Sequence, residues 1–192
     1  MTQLIPHCAE APSNWITRWS HLVKPKGQLL DVACGHGRHA YHFAQLNHSV
    51  TVVDRSQEAV DSITLAPHLC EKVVADIENG PWPFVGRQFD ALVVTNYLWR
   101  PLLPTLLTSL APGGVLLYET FAEGNQTVGK PSRPDFLLRR GELIRVCQDL
   151  TIVAFEDGFI EGSNGGPARF VQRIVAANSN AQHSEPARHH IS

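Results

Sequence analysis

Three acidic residues, Asp31, Asp54 and Asp76, each stand at or near the end of an apolar run, and Gly35 and Gly37 follow the first of them. In Leu29-Leu30-Asp31-Val32-Ala33-Cys34-Gly35-His36-Gly37-Arg38-His39-Ala40, a strand-like stretch passes through a glycine turn into helix-forming sequence. Glycines there let the backbone turn tightly and approach a ligand. The helix beginning near Arg38 offers free N–H groups and the positive end of its dipole to an anionic group. Asp54 closes Val50-Thr51-Val52-Val53. A carboxylate there accepts hydrogen bonds from both hydroxyls of a ribose. Its competing role is to cap the next helix, which Ser56 fills equally well. Gly35-x-Gly37-x-x-Ala40 also fits the dinucleotide fingerprint, and nicotinamide-dependent enzymes likewise use an acidic residue at the position of Asp54. On these residues alone, an NAD(P)-binding oxidoreductase stays open.

These residues need rigid elements behind them. The sequence predicts strands over residues 28–33, 50–54, 72–75, 89–95 and 115–119, with helices over 38–46, 57–65 and 102–110 between them. Strands separated in this way imply right-handed crossovers and a parallel sheet covered on both faces. A short amphipathic helix over 14–23, carrying Trp15 and Trp19, precedes the first strand. Pro81-Trp82-Pro83 is a loop. Two further strands, 150–156 and 170–176, are joined by a Gly/Asn-rich link with no helix, so an antiparallel pair at one edge fits best. A dinucleotide-binding domain more often continues in parallel. The fold class is α/β: a three-layer α/β/α Rossmann-like domain with a mostly parallel seven-stranded sheet and a C-terminal antiparallel hairpin. It occupies residues 1–177, and 178–192 are expected to form a disordered polar tail with little to bury.

The order of these segments resembles the class I S-adenosylmethionine-dependent methyltransferases, over residues 14–177 and most strongly over 28–120. The look is of a small bacterial-type member akin to the tellurite-resistance group. The resemblance implies that Asp31 positions the ammonium end of the cofactor's methionine part, with Ala33, Gly35, Gly37 and Arg38 shaping the turn around its carboxylate. The family's fuller pattern has a third glycine, and Ala33 stands in its place here. Asp54 and Arg55 fall at the ribose. Asp76 falls at the adenine amino group, with the Ile77 N–H at a ring nitrogen. The cofactor expected is S-adenosyl-L-methionine.

The fourth strand ends in Asn96-Tyr97-Leu98-Trp99-Arg100-Pro101. In this fold the carboxyl ends of strands line the cleft, so Asn96 falls at the cofactor. The Asn/Asp-Pro-Pro-Tyr motif of DNA and other amine methyltransferases is not present. Tyr97 and Trp99 offer aromatic faces to a flat substrate or to a sulfonium; packing in the core is the alternative for Trp99. Glu119, at the end of the fifth strand, is a candidate to orient or deprotonate a nucleophile. Tyr97 and Glu119 are thus the catalytic candidates, and Trp99, Arg100 and Arg133 the substrate-binding ones. The long connection 121–139, with Lys130, Arg133, Arg139 and Arg140 in or beside it, is expected to form a lid and selective surface together with the tryptophan helix. Its cations suit an acidic acceptor, or are plain solvated charge.

Composition narrows the classes. The 192 residues carry sixteen basic and eighteen acidic side chains, a net charge of −2, so no overall positive field points to nucleic acid. The four cysteines form no Cys-x-x-Cys pair, and a metal site is not indicated. Residues 1–15 lack a cationic start and an apolar run, and the apolar stretch 91–118 is broken by prolines and glycines. The expectation is a cytoplasmic enzyme, a monomer or homodimer, engaging neither membrane nor DNA. It methylates a small molecule; RNA is the second acceptor class. A domain that binds the cofactor without catalysing is the other functional class, and no damage to the cofactor motif supports it.

Overall fold

The computed structural model describes residues 10–162, 167–179 and 190. The chain alternates as expected: α1 (Asn14–Trp19), β1 (Gln28–Val32), α2 (Arg38–Gln45), β2 (Ser49–Asp54), α3 (Gln57–Asp61), β3 (Cys70–Val74), β4 (Phe89–Thr95), α4 (Leu103–Thr108), β5 (Leu110–Phe121), α5 (Glu142–Val146), β6 (Thr151–Ile160) and β7 (Arg169–Ala177). One seven-stranded sheet has the order β3-β2-β1-β4-β5-β7-β6. β1 to β5 pair in parallel, while β7 lies antiparallel between β5 and β6. The C-terminal hairpin therefore inserts its second strand into the sheet, and β6 becomes the edge.

Side chains alternate across the strands, so each strand feeds two cores. Leu30, Val32, Leu92, Val94, Leu116 and Tyr118 face one. Leu29, Val93 and Leu117 face the other, with Trp15, Ile16, Trp19 and Phe43 packed on them. Trp15 and Trp19 are each 2% exposed and meet edge to face at 5.8 Å. That corrects the expectation that they form part of a lid. Burying two indole rings beneath the sheet stabilises the fold more than an exposed flap would, and the tight turn of α1 brings both to one face.

Between β3 and β4 no helix covers the sheet. Trp82, Phe84 and Phe89 do so instead, as a file of edge-to-face rings at 5.1 and 5.6 Å. The fifth strand is longer than its apolar core suggests. It starts at Leu110 opposite Phe89 and slips register before Val115 meets Ala91. Pro112-Gly113-Gly114 makes that irregularity: a Cβ on Gly114 would lie 2.9 Å from the Phe89 carbonyl oxygen. Asn178 seals it, donating its N–H to Gly114 O at 2.8 Å and accepting from Gly113 N–H at 2.7 Å. The ordered chain thus reaches past 177; the remainder of the expected tail, apart from Ser179 and His190, lies outside the described residues. Among the described residues, no helix is long and apolar enough to cross a membrane.

Candidate active site

The carboxyl ends of β1 to β5 open into one cavity of about 340 Å³. Its wall takes Ala33 from β1, Asp54 and Arg55 from β2, Asp76, Ile77 and Glu78 after β3, Asn96 and Tyr97 after β4, and Thr120 and Phe121 from β5. Pro131 and Phe136, from the 122–138 connection, close its far side. Six of the ten residues expected at the cofactor line it; Asp31, Gly35, Gly37 and Arg38 do not.

The β1–α2 turn owes its shape to three left-handed residues, Ala33, Gly35 and Gly37, with φ of 52°, 54° and 75°. A side chain resists that conformation by about 1–2 kcal/mol, which gives a physical reason for glycine at the Ala33 position in the family pattern. At Gly37 a Cβ would sit 2.7 Å from Ile63 Cδ1, so the start of α2 packs directly on the segment after α3. Asp54 holds the turn from the next strand. Its Oδ2 accepts from the Gly35 N–H at 2.9 Å and its Oδ1 from the Ser56 N–H at 2.9 Å. Ser56 caps α3, its hydroxyl accepting from the Ala59 N–H. Asp54 is therefore free of the capping role and faces the cavity.

Asp31 is 1% exposed. One side of its carboxyl accepts from the Ala40 N–H, while Oδ2 has no hydrogen-bond partner. Burial raises its pKa from 3.8 to about 7, against the pull of Arg38 and the Ala40 N–H and with a further push from Asp54. The sign follows from linkage. Below pH 4 the group is protonated folded and unfolded and contributes nothing. Between pH 4 and 7 the folded state keeps a proton the unfolded chain releases, so stability falls as pH rises. Asp31→Asn removes that fall: its stability relative to the parent rises by about 4 kcal/mol from pH 4 to pH 8 in urea titrations without ligand. An unchanged difference would mean that Asp31 is not buried unpaired.

Asp76 is exposed and organises the turn after β3. Its Oδ1 accepts from the N–H groups of Glu78 and Asn79, and its Oδ2 from the Asn79 side chain. The Asn79 side-chain amide, followed by these backbone donors, holds its carboxyl below the usual range. Asn96 closes β4 in a left-handed conformation, φ 55°, and donates its N–H to the Glu119 carbonyl. Tyr97 is held by its own carbonyl, which accepts from the Tyr118 hydroxyl at 2.9 Å. Its hydroxyl is buried and faces Glu78 without an aligned hydrogen bond. Burial and that carboxylate push its pKa up, so it stays a neutral phenol.

The other candidates fall elsewhere. Trp99 is half-buried and packs against the core. Arg100 is spent on the fold: its guanidinium binds both Glu142 oxygens, at 2.7 and 3.0 Å, and the carbonyls of Asp135 and Leu137. Arg133 pairs with Asp135 at 2.8 Å on the surface. Glu119 is 1% exposed and points away from the cavity. Arg173 Nε lies 2.7 Å from its Oε2, Arg169 Nη2 3.7 Å from its Oε1, and the Ser13 hydroxyl donates to Oε1. Glu78 was not singled out by sequence, because nothing short of the turn geometry brings it to the cavity. Among the described residues, no group of three His, Cys, Asp or Glu side chains could hold a metal ion.

Residues 29–114 match the family model described as a methyltransferase domain. With the antiparallel β7 between β5 and β6, the parallel continuation of a dinucleotide-binding sheet is excluded. The match runs from β1 through β4 to the start of β5. No protein of curated function matches the chain. Solved structures share its fold at low identity. TehB from Haemophilus influenzae superposes with a TM-score of 0.70 at 18% identity, over 85% of this chain and 61% of its own. A methyltransferase from Methanosarcina mazei gives 0.66 at 16%, over 88% and 99%. The N-methyltransferase NodS from Bradyrhizobium japonicum gives 0.63 at 17%, over 85% and 93%. The chain thus spans about three fifths of the length of TehB.

The residues of the cavity fit S-adenosylmethionine, the cofactor that the sequence resemblance implies. The orphaned, buried Oδ2 of Asp31 lacks the donor that an ammonium group would supply. The cavity wall sets three carboxylates, Asp54, Asp76 and Glu78, against the single guanidinium of Arg55. That balance favours a cationic sulfonium ligand and repels a pyrophosphate.

Proposed function

We propose that the enzyme transfers the methyl group of S-adenosylmethionine to a small-molecule acceptor seated in the same cavity. In this reading Asp31 meets the cofactor's ammonium, Asp54 its ribose and the Asp76–Ile77 turn its adenine. The cofactor, when bound, supplies a methyl carbon already activated for displacement. The chain's own contribution is positioning: Tyr118 fixes the Tyr97 backbone and β5 fixes Asn96. Alignment of the reactants supplies much of the acceleration in a displacement of this kind, so no base is required. Glu119, with its oxygens engaged by two arginines and Ser13, takes no part in proton transfer.

The single observation that supports a small acceptor is the size of the cavity, about 340 Å³, with Pro131 and Phe136 along its far side. None of Lys130, Arg133, Arg139 and Arg140, the residues that favour RNA, lines it. Radiolabelled S-adenosylmethionine, offered with the low-molecular-mass fraction of a cell extract or with total RNA, tests the choice. Label is expected in the small-molecule fraction, at a rate nearly independent of salt. Label in RNA, with binding that falls by a log–log slope of about −0.7 per contacted phosphate, would replace this reading with the RNA one.

A further inference from the structure

The cavity is divided by charge. Its ionised groups, Asp54, Arg55, Asp76 and Glu78, all stand at the ends of β2 and β3. The opposite half, built from Leu98, Thr120, Phe121, Pro131 and Phe136, holds no charge at all. Tyr97 stands at the junction, close enough to feel Glu78, Asp76 and Arg55.

Two arginines near the apolar half are diverted from it. Arg100 spends its guanidinium on Glu142 and on the carbonyls of Asp135 and Leu137. Arg133 pairs with Asp135, its guanidinium 5.2 Å from the Phe136 ring. An anionic acceptor seated in the apolar half would have no charged lining residue beside it and would face three carboxylates, with only Arg55 among them, across the cavity.

The apolar wall is also fixed in place. Asn125, 1% exposed, donates its side-chain N–H to the Pro131 carbonyl at 3.0 Å and accepts from the Phe170 N–H at 3.1 Å. Arg100 grips the carbonyls on either side of Phe136. Phe136 is nevertheless 41% exposed. A phenyl ring braced from behind and left open on its cavity side is a preformed apolar contact surface.

Resting on the methyltransferase reading above, we propose that the acceptor is an uncharged molecule with a flat apolar body, seated against Phe136 and Phe121. The cationic connection 121–139 recognises no acid; it carries a braced apolar wall.

The test uses the full chain saturated with S-adenosylhomocysteine, whose own binding is recorded first by calorimetry. Two probes of equal ring size follow, 2-naphthol, neutral at pH 7, and 2-naphthoate, an anion. Naphthol is expected to bind at least about tenfold more tightly than naphthoate. Phe136→Ala is expected to weaken naphthol about tenfold while leaving S-adenosylhomocysteine affinity within about twofold. Equal or tighter binding of naphthoate, or no binding of either probe, would overturn the proposal and leave the cofactor assignment standing. Unchanged naphthol affinity in Phe136→Ala would overturn it as well. Failure of S-adenosylhomocysteine to bind would instead bring down the reading on which it rests.

Discussion

Replacing Glu119 with alanine lowers the unfolding free energy by about 3–5 kcal/mol. The side chain is 1% exposed, and its loss leaves Arg173, only 14% exposed, without its nearest carboxylate. Arg169 and the Ser13 hydroxyl lose the same partner. Glu156 remains 3.1 Å from Arg173 Nη1 but is half exposed and screened by water. Urea unfolding of the two proteins gives the number directly. Removing both members of the pair, in Glu119→Leu with Arg173→Leu, restores much of the stability, because no uncompensated charge is then buried. A loss below about 1 kcal/mol in the single variant would show that the pair is solvated, and would return Glu119 to the list of groups free to act on substrate.

Asp54→Ala weakens S-adenosylhomocysteine binding by about 3 kcal/mol, roughly 100-fold. Two contributions combine. A ribose loses the acceptor for its hydroxyls, and the Gly35 N–H loses the bond that holds the glycine turn against β2. Asp54→Asn keeps one acceptor oxygen and falls between the two. The fold survives either change, because α3 keeps its Ser56 cap. Calorimetric affinities within about threefold of the parent for both variants would mean that Asp54 only ties the two loops together.

The sequence carried the parallel part of the fold because buried parallel strands read as short apolar runs between turn residues. β4 was legible to the residue, and the antiparallel character of the last two strands followed from a link too short for a crossover. What it did not carry was register. Glu119 reads as a free strand-end carboxylate until β7 sets Arg173 directly opposite it, more than fifty residues later in the chain. Arg100 reads as a cleft cation until α5 brings Glu142 to it. That helix, Glu142–Val146, is five residues long and too short to show a period. The tryptophans of α1 showed their helical spacing but not which surface they would cover. The acidic strand ends Asp54 and Asp76 were visible because strand-end chemistry is local. Glu78 was not, because a turn capped by Asp76 places it.

The central claim is that this cavity takes a sulfonium nucleoside and not a dinucleotide, and the most direct test is calorimetry of the parent protein with S-adenosylhomocysteine and NADH side by side. Micromolar binding of S-adenosylhomocysteine, about −8 kcal/mol, and no measurable heat from NADH are expected. Binding of NADH without binding of S-adenosylhomocysteine would contradict that claim.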